Sequence, residues 1–314
     1  TVMGAGQNAT TLTGTYTVPA GGSLTVENAT VNGNIAANNG NVNLRNVTVN
    51  GAITSQSAAA NTFTRALRTN AAQLAEVRLE GVTVNAESGD ASATSAIYAK
   101  NAKLTLIDSS VNFTIGYEPA AADETAFCGV FVQDGTADIR NSDITVRSGS
   151  EKQINTRSRA TGVYLNNTNT SLNGRDGTYE ISNIENSTIT VNSNFVYSGY
   201  PCFNDQALQL STAEVRATDS TLNGGIGVGL FHDSKFTADG GAINALWYGI
   251  SGNNMQGSAH IELTGGVSVK AEDVYNMKHN CAIYMPMQGT LKIDGATLEG
   301  YTGIQVRLGT IEID

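Results

Sequence analysis

The chain has 314 residues, of which 40% are hydrophobic, 15% are charged and 6% are aromatic, and its formal net charge is −10. The acidic excess argues against a nucleic-acid-binding protein, which needs a basic face, and against a protein held on membranes by basic patches. No apolar run approaches the roughly 18 residues of a membrane span, and the three distant cysteines are too few for a disulfide framework or a zinc site with paired ligands.

A short motif, a small residue followed by an apolar one, recurs along the chain. Two tight copies, Asn34-Ile35 and Ala52-Ile53, lie 18 residues apart. The later copies are Ala96-Ile97, Gly129-Val130, Gly162-Val163, Ala207-Leu208, Gly227-Val228, Gly249-Ile250, Ala282-Ile283 and Gly303-Ile304. The nearest of these are 20 to 22 residues apart. We interpret the longer intervals as the same unit carrying an insertion.

Each unit also contains two segments in which apolar and polar residues alternate, the pattern of a half-buried strand. Residues 103–107 and 290–293 illustrate the second segment, and residues 47–49 and 144–146 illustrate the third. A polar or glycine pair separates the two segments, and its Asn or Gly accepts the positive φ of a sharp bend. These pairs are Glu27-Asn28, Arg45-Asn46, Glu80-Gly81, Arg140-Asn141, Glu185-Asn186 and Asp294-Gly295.

Three short strands in about 20 residues are typical of a right-handed parallel β-helix, in which each strand pairs with its equivalent in the next coil. We therefore predict an all-β fold, a single β-helix domain over residues 1–314 with about three strands per coil. One inward column is predicted to contain Ile97, Val130, Val163, Leu208, Val228, Ile250, Ile283 and Ile304, and another Val49, Val84, Val146, Val191 and Val269. Because the sequence stops directly after a second-segment strand, we expect a fragment of a longer protein.

Insertions are predicted at one corner, between a third segment and the next motif copy. They cover about 54–74, 85–95, 115–128, 147–161, 192–206 and 270–281, with smaller ones after Asn173 and Ser251. Loops on a rigid scaffold are the usual place for binding residues, and aromatic residues occur both in these loops and next to the motif copies. The predicted ligand-binding residues are Tyr98, Phe131, Tyr164, Tyr197, Tyr200, Phe203 and Tyr284. The alternative is that the loops cover these rings as a satellite core.

Candidate catalytic groups are sparse. The histidines share no metal-ligand spacing, so we predict no metal site and no cofactor. Glycan-cleaving enzymes need neighbouring carboxylates, and the best group for such a site is Asp134, Asp138 and Asp143 with Arg140. A lesser group is His232-Asp233 with Asp205. Thr48, Thr83, Thr145 and Thr190 form a predicted threonine row that would suit an ice-binding surface, although β-propensity also explains threonines in strands.

The last repeats carry the most specific pattern, in the segments Cys281-Ala282-Ile283-Tyr284-Met285-Pro286, Gly289-Thr290-Leu291 and Thr302-Gly303-Ile304. This pattern resembles the repeats of adhesin-like surface proteins of gut bacteria, and the chain as a whole resembles the pectin-lyase-like right-handed β-helix superfamily. The resemblance implies a secreted or wall-attached protein, and therefore an extracellular or bacterial cell-surface location. The polygalacturonase motifs Asn-Thr-Asp, Gly-His-Gly and Arg-x-Lys are not found in the sequence.

We therefore expect a non-enzymatic, adhesin-like β-helix that binds a glycan or a host surface protein, or that serves as a stalk. A polysaccharide lyase or glycoside hydrolase of the β-helix type is the alternative, and an ice-binding protein is a third interpretation. We expect no nucleic-acid partner and no direct membrane insertion of this segment.

Overall fold

The structure is a computed structural model that describes residues 1–56, 75–167, 180–252, 257–276 and 278–314. Over these ranges the chain forms β-strands, turns and loops but no helix, and hence no helix with the length and apolarity needed to cross a membrane. The first strands are β1 (Val2–Met3), β2 (Thr11–Thr13), β3 (Tyr16–Val18), β4 (Ser23–Asn32), β5 (Ile35–Asn38), β6 (Asn41–Asn50), β7 (Ile53–Gln56), β8 (Ala75–Glu80), β9 (Thr83–Ser88), β10 (Ser95–Lys100) and β11 (Ala102–Ile107).

The remaining strands follow at similar spacing along the chain. The middle of the chain contains β12 (Ser110–Ile115), β13 (Ala126–Gln133), β14 (Thr136–Arg140), β15 (Asp143–Ser148), β16 (Ile154–Asn155), β17 (Arg159–Asn166), β18 (Ser182–Glu185), β19 (Thr188–Asn192), β20 (Phe195–Tyr197), β21 (Tyr200–Pro201) and β22 (Gln206–Ser211). The last third contains β23 (Glu214–Thr218), β24 (Thr221–Phe231), β25 (Ser234–Asp239), β26 (Ala242–Gly252), β27 (Ser258–Thr264), β28 (Ser268–Ala271), β29 (Cys281–Met285), β30 (Gln288–Ile293), β31 (Thr297–Glu299), β32 (Thr302–Val306) and β33 (Thr310–Ile313).

All of these strands except β16, β20 and β21 form three parallel sheets in which each strand pairs with its equivalent in the next coil. The first sheet, which carries the repeated motif, contains β3, β5, β7, β10, β13, β17, β22, β24, β26, β29 and β32. The second contains β1, β4, β6, β8, β11, β14, β18, β23, β25, β27, β30 and β33. The third contains β2, β4, β6, β9, β12, β15, β19, β24, β26, β28 and β31. The fold is a parallel β-helix with three strands per coil, which confirms the prediction.

The core consists of inward columns of apolar residues between the three sheets. The predicted first-sheet column is in register throughout, for example where Ile97 pairs with Val130 and Val130 with Val163. The predicted third-sheet column is wrong in part, because Val84 is followed through Val111 by Ile144 rather than by Val146. Two neighbouring inward columns run along this sheet, since each strand contributes two inward residues two positions apart.

The small residue of the repeated motif packs against the third strand of its own coil. A Cβ at Gly129 would lie 2.7 Å from Ile144 Cγ2 and 2.9 Å from the carbonyl oxygen of Gly162. Gly227 and Gly249 are crowded in the same way by a β-branched side chain. From Ala52 onward the motif begins with Gly or Ala, because interiors are close-packed and the corner has little room for a larger side chain in coils such as those of Gly129, Gly227 and Gly249.

The bend between the second and third strands is made by one residue with positive φ, as predicted for the polar or glycine pairs. Asn28 and Asn141, for example, have φ of 53° and 48°. A buried serine follows the bend in four consecutive coils, at Ser109, Ser142, Ser187 and Ser220. Ser142 Oγ accepts the Ser109 N–H at 3.1 Å and donates to the Arg140 carbonyl at 2.7 Å. The hydroxyls of this serine column form hydrogen bonds with backbone N–H and carbonyl groups that lack a strand-to-strand partner at the bend.

Loops join the third strand of one coil to the first strand of the next at one corner, close to most of the predicted insertions. They span 89–94, 116–125, 149–158, 193–205 and 272–280, with residue 277 outside the described residues. The predicted insertion at 54–74 is misplaced, because β7 belongs to the first sheet. Residues 57–74 and 168–179, which include the predicted insertion after Asn173, lie outside the described residues, as do residues 253–256 after Ser251.

Candidate ligand-binding cleft

The loops of successive coils contact one another and form a wall along their corner, which we call the loop wall. Lys152 Nζ lies 2.6 Å from Glu118 Oε2 in the preceding loop. β16 pairs with β20 of the following loop, and β20 pairs with β21 in antiparallel orientation, so a small separate sheet stiffens the wall. Phe127, Phe195 and Phe203 are buried in or under it. The loops therefore cover these three rings, and Phe127 and Phe195 belong to the main hydrophobic core.

A buried carboxylate ties the loop 193–205 to the β-helix. Asp205 Oδ1 accepts hydrogen bonds from the Ala160 N–H at 3.0 Å and the Ser193 hydroxyl at 2.9 Å, and Oδ2 accepts the Ser193 N–H at 2.9 Å. Burial raises the pKa of Asp205, and these hydrogen bonds oppose the rise. Asp205, the lesser catalytic candidate, has its carboxylate occupied within the fold.

The loop wall is interrupted where two coils turn the corner without an insertion. β24 and β26 pass directly from the third sheet to the first, so no loop separates the loop 193–205 from the loop 272–280. The two loops meet across this gap, because the Tyr275 hydroxyl donates to the Pro201 carbonyl at 3.0 Å and the Tyr275 ring lies 5.5 Å from the Tyr200 ring.

A column of aromatic rings lies in the gap. The rings of Phe203 and Trp247 are stacked with centroids 3.4 Å apart, Trp247 stacks on Tyr248 at 4.2 Å, and Tyr248 stacks on Tyr284 at 5.0 Å. The guanidinium of Arg307 lies over the Tyr284 ring, 5.4 Å from its centroid. Burial raises the pKa of Tyr248 to about 12, so its phenol stays neutral in the physiological range.

Trp247 was not among the residues predicted from the sequence. Gly224 pairs with Ala245 and Ile226 pairs with Tyr248, so β26 carries one residue more than β24 over this stretch. This bulge places Trp247 at the corner beside Phe203. The signal that could have found it was composition, because the chain's single tryptophan stands next to a tyrosine in a strand otherwise made mostly of small residues.

The rings border a cleft of about 460 Å³ between the first sheet and the loop wall, which we call the aromatic cleft. Its described lining residues are Glu124, Arg157, Arg159, Tyr197, Asn204, Ile226, Trp247, Tyr248, Ser251 and Tyr284. Arg157 forms an ion pair with Glu124 at 3.1 Å. The volume falls within the usual range for pockets that bind small molecules, and the lining combines apolar rings with a few polar groups.

Of the predicted loop aromatics, Tyr197 and Phe203 have different roles. Tyr197 lines the cleft and its residue is 37% exposed, whereas Phe203 is 5% exposed and supports Trp247 from behind. Tyr200 contacts Phe203 at 5.5 Å between centroids. Tyr284 lines the cleft from the first sheet.

The other predicted aromatic residues form a separate column on the first sheet. Tyr98, Phe131 and Tyr164 pair in register, and their ring centroids lie 5.2 Å and 4.8 Å apart. All three are half-buried. The Tyr98 hydroxyl donates to Gln133 Oε1 at 2.8 Å, so its polar end is already satisfied by the protein.

The predicted catalytic group is divided between different faces of the β-helix. Arg140 binds Asp138 through two hydrogen bonds of 2.8 Å on the second sheet, and Asp138 and Glu185 both raise the pKa of Arg140. Asp134 is buried at the bend between β13 and β14, with φ of 53°. Asp143 begins β15 on the third sheet. The structure brings Asp138 and Arg140 together as an ion pair and leaves Asp143 on another face.

The four threonines predicted as one row lie in two columns. Thr48 pairs with Thr83, whereas the register takes Thr145 back through Asn112 to Asn85. Beside the first column runs a ladder of asparagines, Asn32, Asn50, Asn85 and Asn112, joined by amide hydrogen bonds of 2.8–3.0 Å. Small polar side chains therefore cover this face in two parallel columns.

In the part of the chain that the structure describes, no three His, Cys, Asp or Glu side chains are placed so that they could hold a metal ion. Cys128, Cys202 and Cys281 are buried and unpaired. Burial raises the pKa of the Cys128 thiol to about 12. Comparisons of the chain with family models, with curated proteins and with solved structures gave no match.

Proposed function

We propose that this protein is a non-enzymatic binding protein that holds a saccharide in the aromatic cleft. The observation that carries the proposal is the stack of Trp247, Tyr248 and Tyr284 in a gap of the loop wall. Because the faces of Trp247 and Tyr248 are covered within the stack, these rings would meet a saccharide with their edges, and the partly exposed Tyr197 ring adds apolar surface beside them. The stiff β-helix and the buried Asp205 anchor hold the two sides of the cleft in place.

The small number of carboxylates in the cleft favours saccharide binding over saccharide hydrolysis as its function. Glu124 is the one carboxylate among the described residues that line it, and Arg157 already neutralises that carboxylate. Retaining and inverting glycosidases both use a pair of carboxyl groups. An adhesin-like role at an extracellular or bacterial cell surface is part of the proposal, and the resemblance of the repeats supports it.

The single tryptophan makes the test possible on the unaltered protein. Because Trp247 is the only tryptophan in the chain, its fluorescence reports on the aromatic cleft alone. A glycan array would identify saccharides that bind, and titration of the best ones should change the emission and protect Trp247 from quenching by acrylamide. Binding of array glycans with no change at Trp247 would contradict the proposed site.

Two single-residue variants test whether saccharide binding depends on the aromatic cleft or on any exposed aromatic residue. Tyr197→Ala removes a ring from a partly exposed loop position in the cleft, and we expect about tenfold weaker binding, which corresponds to about 1.4 kcal/mol. Tyr301→Ala is the matched control, because Tyr301 is 64% exposed and does not line the cleft. Equal losses in both variants would contradict the assignment.

A further inference from the structure

The aromatic cleft carries an excess of positive charge within an acidic protein. Two arginines, Arg157 and Arg159, line it, against the single carboxylate of Glu124. Arg307 adds a third cation next to the cleft, over the Tyr284 ring. The whole chain has a net charge of −10, so this local balance is opposite in sign to that of the protein.

Arg159 has no ion-pair partner among the described residues, unlike Arg157. Its Nε donates to the neutral Gln209 Oε1 at 2.9 Å, and Gln209 is 2% exposed. Arg159 itself is half-buried at the start of β17. Its positive charge opposes the rise in pKa that burial causes at Tyr164 and at Cys128. A partly desolvated cation held without a counter-charge favours an anion beside it.

We propose that the saccharide bound in the aromatic cleft is anionic and that Arg159 pairs with its carboxylate or sulfate group while the sugar ring lies against Tyr197 and the edges of the stacked Trp247 and Tyr248 rings. This inference rests on the proposed function. With Nε bonded to Gln209, the two terminal nitrogens of the guanidinium are left to form parallel hydrogen bonds to an oxyanion. Gln209 fixes the orientation of the fork before the ligand arrives.

The test is a glycan array that carries neutral glycans beside their sialylated, uronate-containing and sulfated counterparts, followed by Trp247 fluorescence titrations of matched pairs. We expect at least tenfold tighter binding of the anionic member of a pair, and weaker binding of that member as salt is raised. Arg159→Gln should abolish this preference, so that the two members of a pair bind with equal affinity. Arg159→Lys, which keeps the charge but not the fork, should retain part of it.

Arg216→Gln is the matched control, because Arg216 is an exposed arginine on the second sheet and its loss should leave the preference unchanged. Circular dichroism and thermal melting of each variant establish that it is folded. Equal binding of neutral and anionic glycans, or an equal loss of both in Arg159→Gln, would overturn the charge assignment while leaving saccharide binding in place. An array with no binding by any glycan would overturn the proposed function and this inference together. The array distinguishes a carboxylate from a sulfate ligand directly.

Discussion

Replacing Gly129 by alanine tests whether crowding at the corner explains the small residue of the repeated motif. The new Cβ would lie 2.7 Å from Ile144 Cγ2 and 2.9 Å from the Gly162 carbonyl oxygen, whereas ordinary contact begins at 3.4 Å. Both neighbours would have to move by about half an ångström or more within a close-packed core. Overpacking of this kind costs about 1–3 kcal/mol, and each kcal/mol lowers the melting temperature by about 2–4 °C in domains somewhat smaller than this one.

The control and the rescue come from the chain itself. Gly303 is the equivalent glycine in the last first-sheet strand, and a Cβ added there would meet no other atom within 4 Å, so Gly303→Ala should leave stability nearly unchanged. Ala207 and Ala282, at the equivalent motif position, occur in coils whose third strand carries Leu222 and Leu298 in place of Ile144. Leucine has no branch at Cβ, so the double variant Gly129→Ala with Ile144→Leu should recover part of the loss.

Thermal melting by circular dichroism and amide hydrogen exchange would measure these effects. A solenoid coil contacts only its neighbours, so we expect faster exchange in the coil of β13 to β15 and in the coils on either side. A Gly129→Ala variant as stable as the wild type would refute the clash as the reason for the small residue. So would a double variant whose loss of stability equals the sum of the losses in the two single variants.

Three further predictions concern buried polar groups. Ser142→Ala should cost about 1–3 kcal/mol because a buried backbone N–H loses its acceptor, whereas the exposed Ser23→Ala should be near neutral in the same denaturation assay. Cys128 should not react with a thiol reagent at pH 8 in the folded protein, because burial raises its pKa to about 12. Burial also raises the pKa of Asp205, so the folded chain keeps a proton that the unfolded chain has released. The contribution of Asp205 to stability should therefore fall as pH rises above about 4, and Asp205→Asn should remove that decline from urea midpoints measured between pH 4 and 8.

For each of these three predictions, one experimental result would contradict the reasoning. Equal effects of the two serine variants would mean that the serine column adds nothing beyond its packing. Rapid labelling of Cys128 in the folded protein would show that its coil opens readily. A difference between wild type and Asp205→Asn that grows in favour of the wild type as pH rises would show that the hydrogen bonds to the carboxylate outweigh its burial.

The coiling of the chain follows from local sequence signals. The motif at Gly129 and Gly162 and the alternating segments between the copies are local signals, since strand period and bend residues act over a few positions. The same signals predicted the positive φ of Asn28 and Asn141 and the first-sheet column. The assignment of Val146 to the wrong inward column shows the limit, because alternation gives the face of a residue but not its register along the strand.

The aromatic cleft, in contrast, depends on contacts between residues that are far apart in the sequence. Tyr284 could be chosen from its position after the motif, but Trp247 reaches the cleft only because β26 carries one extra residue relative to β24. Phe203 could be recognised as a loop aromatic, and only the packed structure shows that it lies beneath Trp247. The pairing of Arg159 with Gln209 joins residues 50 positions apart. Such contacts depend on how neighbouring coils pair and on which coils turn the corner without an inserted loop. A local sequence pattern does not carry that information.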